Sequence, residues 1–296
     1  MRILLLRRAS IEDAFGIAEC YRSDYLGIDE VLSRFPDTPE NLYRFGGVWM
    51  HGNSCAEHIE LFRKYGGEIF VAEVDGKVVG HIEVIPDFSQ DPGEYLYISV
   101  LMVHRKYRRR GIGTKLVGVA EDYARERGLH YVVVNSEEQS VGFYEKLGFK
   151  IKELWYSIYL RGEPMGFTFR VVETDRAAVE ILGERYNLLV GRFHGSRAVL
   201  FEFLNRYRSL EKMDIRHMFY QANVGGEKVL IGIRKSQDIP NVAWCWSRKY
   251  VDLDKVLDAI RSIAHMLSIS KILTCVPNKG IGLGLVETLT WMIKMV

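Results

Sequence analysis

Between Val103 and Gly113 the chain reads VHRKYRRRGIG, five basic residues and two glycines in eleven positions, and continues into TKLVGVAEDYARERG. In that continuation Leu116, Val117, Ala120, Tyr123 and Ala124 recur at helical spacing, and Gly128 is placed to end the helix. A loop that enters a helix presents unpaired backbone N–H groups at the positive helix end. Such a concavity binds phosphate oxygens, the arginines add charge, and the glycines let a pyrophosphate approach the backbone with no Cβ in the way. A Walker loop is excluded because no G-x-x-x-x-G-K-[ST] occurs. A dinucleotide loop fits poorly: Gly111, Gly113 and Gly118 are spaced G-x-G-x-x-x-x-G, and the strands before them are joined by a hairpin.

The elements that must position this loop can be read around it. RILLLRR is a strand, followed by a helix that Ser10 can cap, with Glu12 and Asp13 in its first turn. An irregular stretch from Cys20 to Asn53 leads to a second helix, for which Ser54 and Glu57 form a capping box. EIFVAEVDGKVVGHIEVI is a hairpin turning at Asp75-Gly76, and EYLYISVLMV is a third, more apolar strand that reads as central. After the loop and its helix come the strand YVVVN, the short helix VGFYEKLG and the extended FKIKELWYSIYL. RGEPMG, residues 161–166, breaks the composition and is expected to link a first domain, 1–160, to a second, 167–296.

The 296 residues, 48% apolar and 26% charged, suit a soluble protein with two ordinary domains. A net charge of +2 does not support nucleic acid as a partner. The four cysteines are widely spaced with no C-x-x-C, which points to free thiols in a reducing cytoplasm. The apolar run 3–6 is too short for a signal or membrane segment, so the chain reads as mature from Met1 with no membrane partner.

Arg108-Arg109-Arg110-Gly111-Ile112-Gly113 reads R-x-x-G-x-G, and VNSEEQSVGFYEKLGF carries an Asn-Ser pair followed by F-Y-E-K-x-G-F. In both motifs, in their order and in their separation by one helix and one strand, residues 2–160 resemble the GCN5-related N-acetyltransferase (GNAT) family. The resemblance implies the GNAT fold, an α/β arrangement on a mixed sheet. It also implies direct attack of an acceptor amine on acetyl-CoA, with no acyl-enzyme. The pyrophosphate would then rest on the backbone from Arg109 through Gly111, Ile112 and Gly113 to Thr114, aided by the side chains of Arg108, Arg109 and Arg110. The pantetheine arm would pair with the backbone of Leu101 and Val103, Asn135 would join the cofactor contacts, and Tyr144 would protonate the departing thiolate.

The base is open. Many relatives carry a glutamate on the fourth strand where this chain has Tyr97. Glu83, Glu94 and His81 are the substitutes, and alternation puts His81 and Glu83 on one strand face, so that both or neither reach the cleft. The acceptor pocket would be built from the first two helices and their connection, which hold Tyr21, Asp24, Tyr25, Asp29, Glu30, Tyr43 and Trp49, suited to an amine with an apolar or aromatic body. His51, Cys55 and His58 lack a fourth ligand and a zinc-site spacing, so no metal is expected.

The second half repeats the element order, with Gly225-Gly226 at the hairpin, and is expected to be a degenerate second GNAT-like domain. Where the cofactor loop belongs it reads WSRKYVDLDK, with no glycine and with Asp252 and Asp254 at the helix start, better suited to cap it than to hold phosphate. A strand KILTCV, the Gly-rich residues 279–287 and a last helix near LVETLTWMI close this reading. The second half is expected to scaffold the first or wall its acceptor cleft. The leading functional expectation is a transferase for a primary amine on a small molecule, peptide or protein. Its rival is a non-catalytic acyl-CoA-binding or regulatory module; the sequence leaves the acceptor and the oligomeric state open.

Overall fold

The computed structural model describes residues 3–191, 195–204, 207–277 and 285–296. The first half runs β1 (Leu4–Arg8), α1 (Ala14–Arg22), α2 (Ile28–Arg34), α3 (Pro39–Gly46), α4 (Gly52–Lys64), β2 (Glu68–Val74), β3 (Lys77–Ser89), β4 (Gly93–Val103), α5 (Ile112–Glu126), β5 (Tyr131–Glu137), α6 (Glu138–Lys146) and β6 (Lys150–Arg161). The second runs β7 (Arg170–Val172), α7 (Thr174–Gly183), β8 (Asn187–Val190), α8 (Ser196–Leu204), β9 (Ile215–Val224), β10 (Glu227–Ser236), β11 (Val242–Ser247), α9 (Leu253–Met266), β12 (Lys271–Val276) and β13 (Leu285–Met295). No described helix is long and apolar enough to cross a membrane.

Most elements follow the local signals. Asp75 and Gly76 both take positive φ, as do Gly225 and Gly226, so the two hairpins turn as their residue pairs dictate. Leu116, Val117, Ala120, Tyr123 and Ala124 all bury on α5, and Asp252 caps α9 by accepting from the Asp254 N–H at 3.0 Å. Two local expectations fail. The stretch expected to be irregular folds into α2 and α3, the second capped by Thr38 with Pro39 in its first turn. The cap of α4 is His51, whose Nδ1 accepts from the Asn53 N–H, while Ser54 donates to the Val48 carbonyl and Glu57 is engaged by Ser209.

Thirteen strands form one mixed sheet in the order β1-β2-β3-β4-β5-β13-β6-β12-β11-β10-β9-β7, with β8 paired to β11. Read inward from its two edges, this order is the same list twice. β1-β2-β3-β4-β5 matches β7-β9-β10-β11-β12, and each half then receives as its next strand the last strand of the other, β13 beside β5 and β6 beside β12.

The segment LVETLTWMI, expected as a helix, is therefore a strand. Leu289 and Trp291 pack on one face of the sheet and Met292 on the other, so both faces are covered and no polar-apolar alternation survives to mark it. Of the Gly-rich residues 279–287 only the last three fall among those described, and they open β13.

The halves differ where a parallel pair of strands diverges. In the first, β4 pairs with β5 from Leu96↔Val132 to Ile98↔Val134 and no further, and Ser99 is a bulge between the Val84↔Ile98 and Glu83↔Val100 pairs. In the second, β8 pairs antiparallel with β11 at Cys245 to Ser247, and the Gly191 N–H donates to the Cys275 carbonyl of β12 at 2.9 Å. The chain itself fills that cleft. Gly191 makes this possible: at φ 143° an added Cβ would lie 2.1 Å from Trp244 Cδ1. Gly191→Ala is expected to lower unfolding stability by about 3 kcal/mol in a denaturant titration, through overpacking and a φ that L-residues rarely adopt. A loss under about 0.5 kcal/mol, the size of an ordinary surface change, would mean that β8 is not wedged there.

Candidate active site

The face of β3 toward α4 carries His81 and Glu83, both fully buried. Alternation brings them together as expected, with His81 Nε2 3.7 Å from Glu83 Oε1. On α4, Cys55, His58, Ile59 and Phe62 form the buried stripe, and His58 Nε2 meets Glu83 Oε2 at 3.1 Å. A 3₁₀ turn over Gly47–Met50 delivers Trp49, whose indole N–H donates to Glu83 Oε1 at 2.6 Å while its ring stacks on Tyr21 at 5.3 Å. From the second half, the Tyr207 hydroxyl lies 3.0 Å from His58 Nδ1.

Burial works to raise the Glu83 carboxyl, but the electrostatic attraction and hydrogen bond of the His58 ring, the neighbouring His81 and the Trp49 N–H together hold it below the ordinary carboxylate range. Glu83 is thus an anion at neutral pH. Burial pushes His81 down to about 4, so it is neutral there, and neither of its ring nitrogens has a hydrogen-bond partner among the described residues.

Glu83, His58, Ser99 and Val100 line a cleft of about 840 Å³, and the opposite wall, with Tyr207, Met213 and Trp244, belongs to the second half. First-half carboxylates clamp that wall. Glu57 accepts from the Ser209 N–H and Oγ, and Asp87 accepts from the Arg197 and Ala198 N–H groups at the start of α8, where burial pushes its carboxyl up to about 6. Arg44 adds an ion pair to Asp238 at 2.6 Å.

The basic loop leaves β4 at Val103 and enters α5 through Arg109 at φ 63° and Gly111 at φ 76°. The Lys115 N–H bonds inward to the Gly111 carbonyl, so the amides of Ile112, Gly113 and Thr114 are the unsatisfied start of the helix. The space in front of Gly111 is open, with nothing within 4 Å of an added Cβ, whereas a Cβ added at Gly113 would lie 3.3 Å from the Phe143 ring. Arg109 and Arg110 are exposed. Arg108 is spoken for: its Nε donates to the Val103 carbonyl and its guanidinium pairs with Asp24 at 2.7 Å.

Past the bulge, Leu101 and Val103 pair with β3 on one edge, while the ladder to β5 has already stopped. Asn135 Oδ1, on β5, is buried without a hydrogen-bond partner among the described residues. Tyr144 is buried between Phe143 and Phe149, and burial raises its phenol well above the ordinary range, so it holds its proton.

Glu94 stands apart from these residues. It lies five positions before the bulge, about 17 Å along an extended strand, and pairs on the surface with Arg185 at 2.9 Å. Tyr97 packs in the core near the cleft. The three residues of H-x-x-x-C-x-x-H have separate tasks: His51 caps α4, Cys55 packs in the core and His58 serves Glu83. The partnership of His58 with Glu83 was legible only as a polar residue on the buried stripe of α4, and Tyr207 carried no signal at all.

Residues 32–149 match the family model described as the acetyltransferase (GNAT) family. A 108-residue stretch is 31% identical to glucosamine 6-phosphate N-acetyltransferase of Trypanosoma brucei brucei, covering 35% of this chain and 74% of that protein. The chain belongs to the GNAT family of acetyltransferases. An 84-residue stretch is 40% identical to the probable N-acetyltransferase camello of Xenopus tropicalis, but the match spans only 37% of the frog protein and 27% of this chain. Over its whole length the fold is similar to that of a tandem GNAT protein from the clavulanic acid biosynthesis pathway, with TM-score 0.54 and 14% identity over 99% of this chain and 98% of that one. The second half is accordingly a second GNAT-like region, as the repeated strand order independently requires.

Proposed function

We propose that this GNAT protein transfers an acetyl group from acetyl-CoA to the primary amine of a small acceptor held between its two halves. The observation that carries the reading is Glu83, a buried carboxylate held in its charged form on the cleft wall beside the bulge where β4 parts from β5. The open face of Gly111, the three unbonded α5 amides and the orphan Asn135 Oδ1 suit a pyrophosphate and an amide-bearing arm. Acetyl-CoA would supply the activated acyl group as a thioester. In the second half, β8 fills the corresponding cleft, which supports one cofactor site rather than two.

The remaining roles fall to residues of this chain. Arg109, Arg110 and the amides from Ile112 to Thr114 hold the phosphates, while Arg108 braces the loop against Asp24 and Val103. The backbone of Leu101 and Val103 aligns the arm along the unladdered edge of β4. Glu83 draws a proton from the acceptor ammonium, directly or through water, so that a neutral amine attacks. Tyr144, whose proton is firmly held at neutral pH, donates to the departing thiolate. The aromatic walls suit an amine with an apolar or ring-shaped body, and the trypanosomal relative is named for an amino sugar.

The reading is tested by calorimetry with acetyl-CoA followed by thiol release with and without a panel of small amines. Tyr144→Phe is expected to lower amine-dependent release by about a hundredfold, the low end of general acid catalysis, with acetyl-CoA affinity unchanged. Binding with no release on any amine would favour the acyl-CoA-binding module instead, and unchanged release by the variant would remove Tyr144 from the mechanism.

A further inference from the structure

We propose that Tyr207 is a positioning residue for the base: across the boundary between the halves it sets the tautomer of His58, and His58 thereby keeps a donor on Glu83. The inference rests on the transferase reading only for its kinetic consequence. Its geometry stands alone: Tyr207 Oη lies 3.0 Å from His58 Nδ1, and His58 Nε2 lies 3.1 Å from Glu83 Oε2. A phenol is a donor that an imidazole nitrogen can accept from, and a carboxylate can only accept. For a neutral imidazole one assignment satisfies all three groups: Tyr207 O–H donates to Nδ1, and Nε2–H donates to Glu83.

Without the hydroxyl, His58 is free to carry its proton on Nδ1, which turns the bare Nε2 lone pair toward the carboxylate. Glu83 then keeps the Trp49 N–H as its strong donor, with the Ser99 hydroxyl 3.5 Å away. The other titratable groups facing it make no hydrogen bond to it and carry no positive charge: neutral His81 on β3 stands 3.7 Å from Oε1, and Tyr21 on α1 and Cys55 on α4 keep their protons because burial raises both. Loss of the His58 donor leaves burial to dominate, so the Glu83 carboxyl titrates at higher pH and the acidic limb of kcat/KM moves upward. Packing between the halves by itself would move neither the tautomer nor that limb. This also gives the second half a direct part in the chemistry, although its own cofactor cleft is filled by β8.

The experiment is Tyr207→Phe, which removes one oxygen and keeps the ring stacked on His58 at 6.3 Å. ¹⁵N-histidine NMR of the intact protein reads the tautomer, with the His58 resonances assigned by their loss in His58→Gln. The kcat/KM profile for the best amine reads the base. Expected are an Nε2–H tautomer in the wild-type protein, a mixture in the variant, and an acidic limb raised by about half a unit to one unit. At neutral pH, where Glu83 stays ionised in both proteins, kcat and KM are expected to change by less than about twofold, so the difference shows on the acidic limb. An unchanged tautomer, or an unchanged limb in an active enzyme, overturns the proposal. If the wild-type protein acetylates no amine, the transferase reading fails and the tautomer alone decides whether Tyr207 positions His58.

Discussion

Gly111→Glu is expected to weaken acetyl-CoA binding by at least about a hundredfold in calorimetry, which would put it beyond detection at ordinary concentrations. Three effects act together. Gly111 stands at φ 76°, where an L-residue is strained, so the loop loses its shape. The open space in front of it is filled by a side chain, and the added carboxylate repels phosphate at a helix start that otherwise favours anions. Gly111→Ala separates these contributions, since its methyl enters open space and adds no charge; a loss of about tenfold or less is expected for it, in line with about 1 kcal/mol of backbone strain. Affinity for acetyl-CoA within threefold of wild type in the glutamate variant would show that the phosphates lie elsewhere.

Glu83→Gln is expected to lower kcat by about 10²–10⁴-fold, the range of a lost general base, with acetyl-CoA affinity intact. The amide keeps an oxygen for the Trp49 N–H and adds no volume, so the cleft retains its shape. Because the carboxyl is held below its ordinary range, the wild-type enzyme is expected to stay active into mildly acidic solution and to lose activity only as pH falls through the depressed value. The variant lacks that limb. Stability follows the same sign: a carboxyl depressed in the folded state contributes fully above its unfolded value, and that contribution disappears as pH falls through the folded one. Glu83→Gln is therefore less stable than wild type near neutrality, and the difference closes in acid. A variant with undiminished turnover would remove Glu83 from the mechanism, and attention would pass to a water held beside His81.

Much of the first half was legible because its signals are local. Asp75-Gly76 can only turn one way at low cost, the α5 stripe has a single amphipathic reading, and R-x-x-G-x-G takes its meaning from the strand before it and the helix after it. The two short helices before α4 were missed because their caps sit among aromatic and acidic residues with little periodicity. Glu83 was recognised as one of several carboxylates, and only its neighbours distinguish it from Glu94. Both are glutamates on adjacent strands; one is buried against an imidazole and an indole N–H, the other pairs with an arginine in water.

By itself the sequence determined the glycine turn into α5, the two hairpins and most of the element order in the first half, because each depends on residues within a turn or two of one another. Only the tertiary structure decided the rest. β13 is a strand because β5 and β6 offer two unsatisfied edges and two apolar faces, and no helix could meet both. The second cleft is closed because β8, some fifty residues earlier in the chain than β11, supplies the hydrogen bonds that an arm of ligand would otherwise make. Glu83 meets His58 of α4, and His58 in turn meets Tyr207, 149 residues away in the chain. Contacts made across such distances leave no period and no motif, since what selects them is the burial of a charge that must find partners wherever the fold brings them.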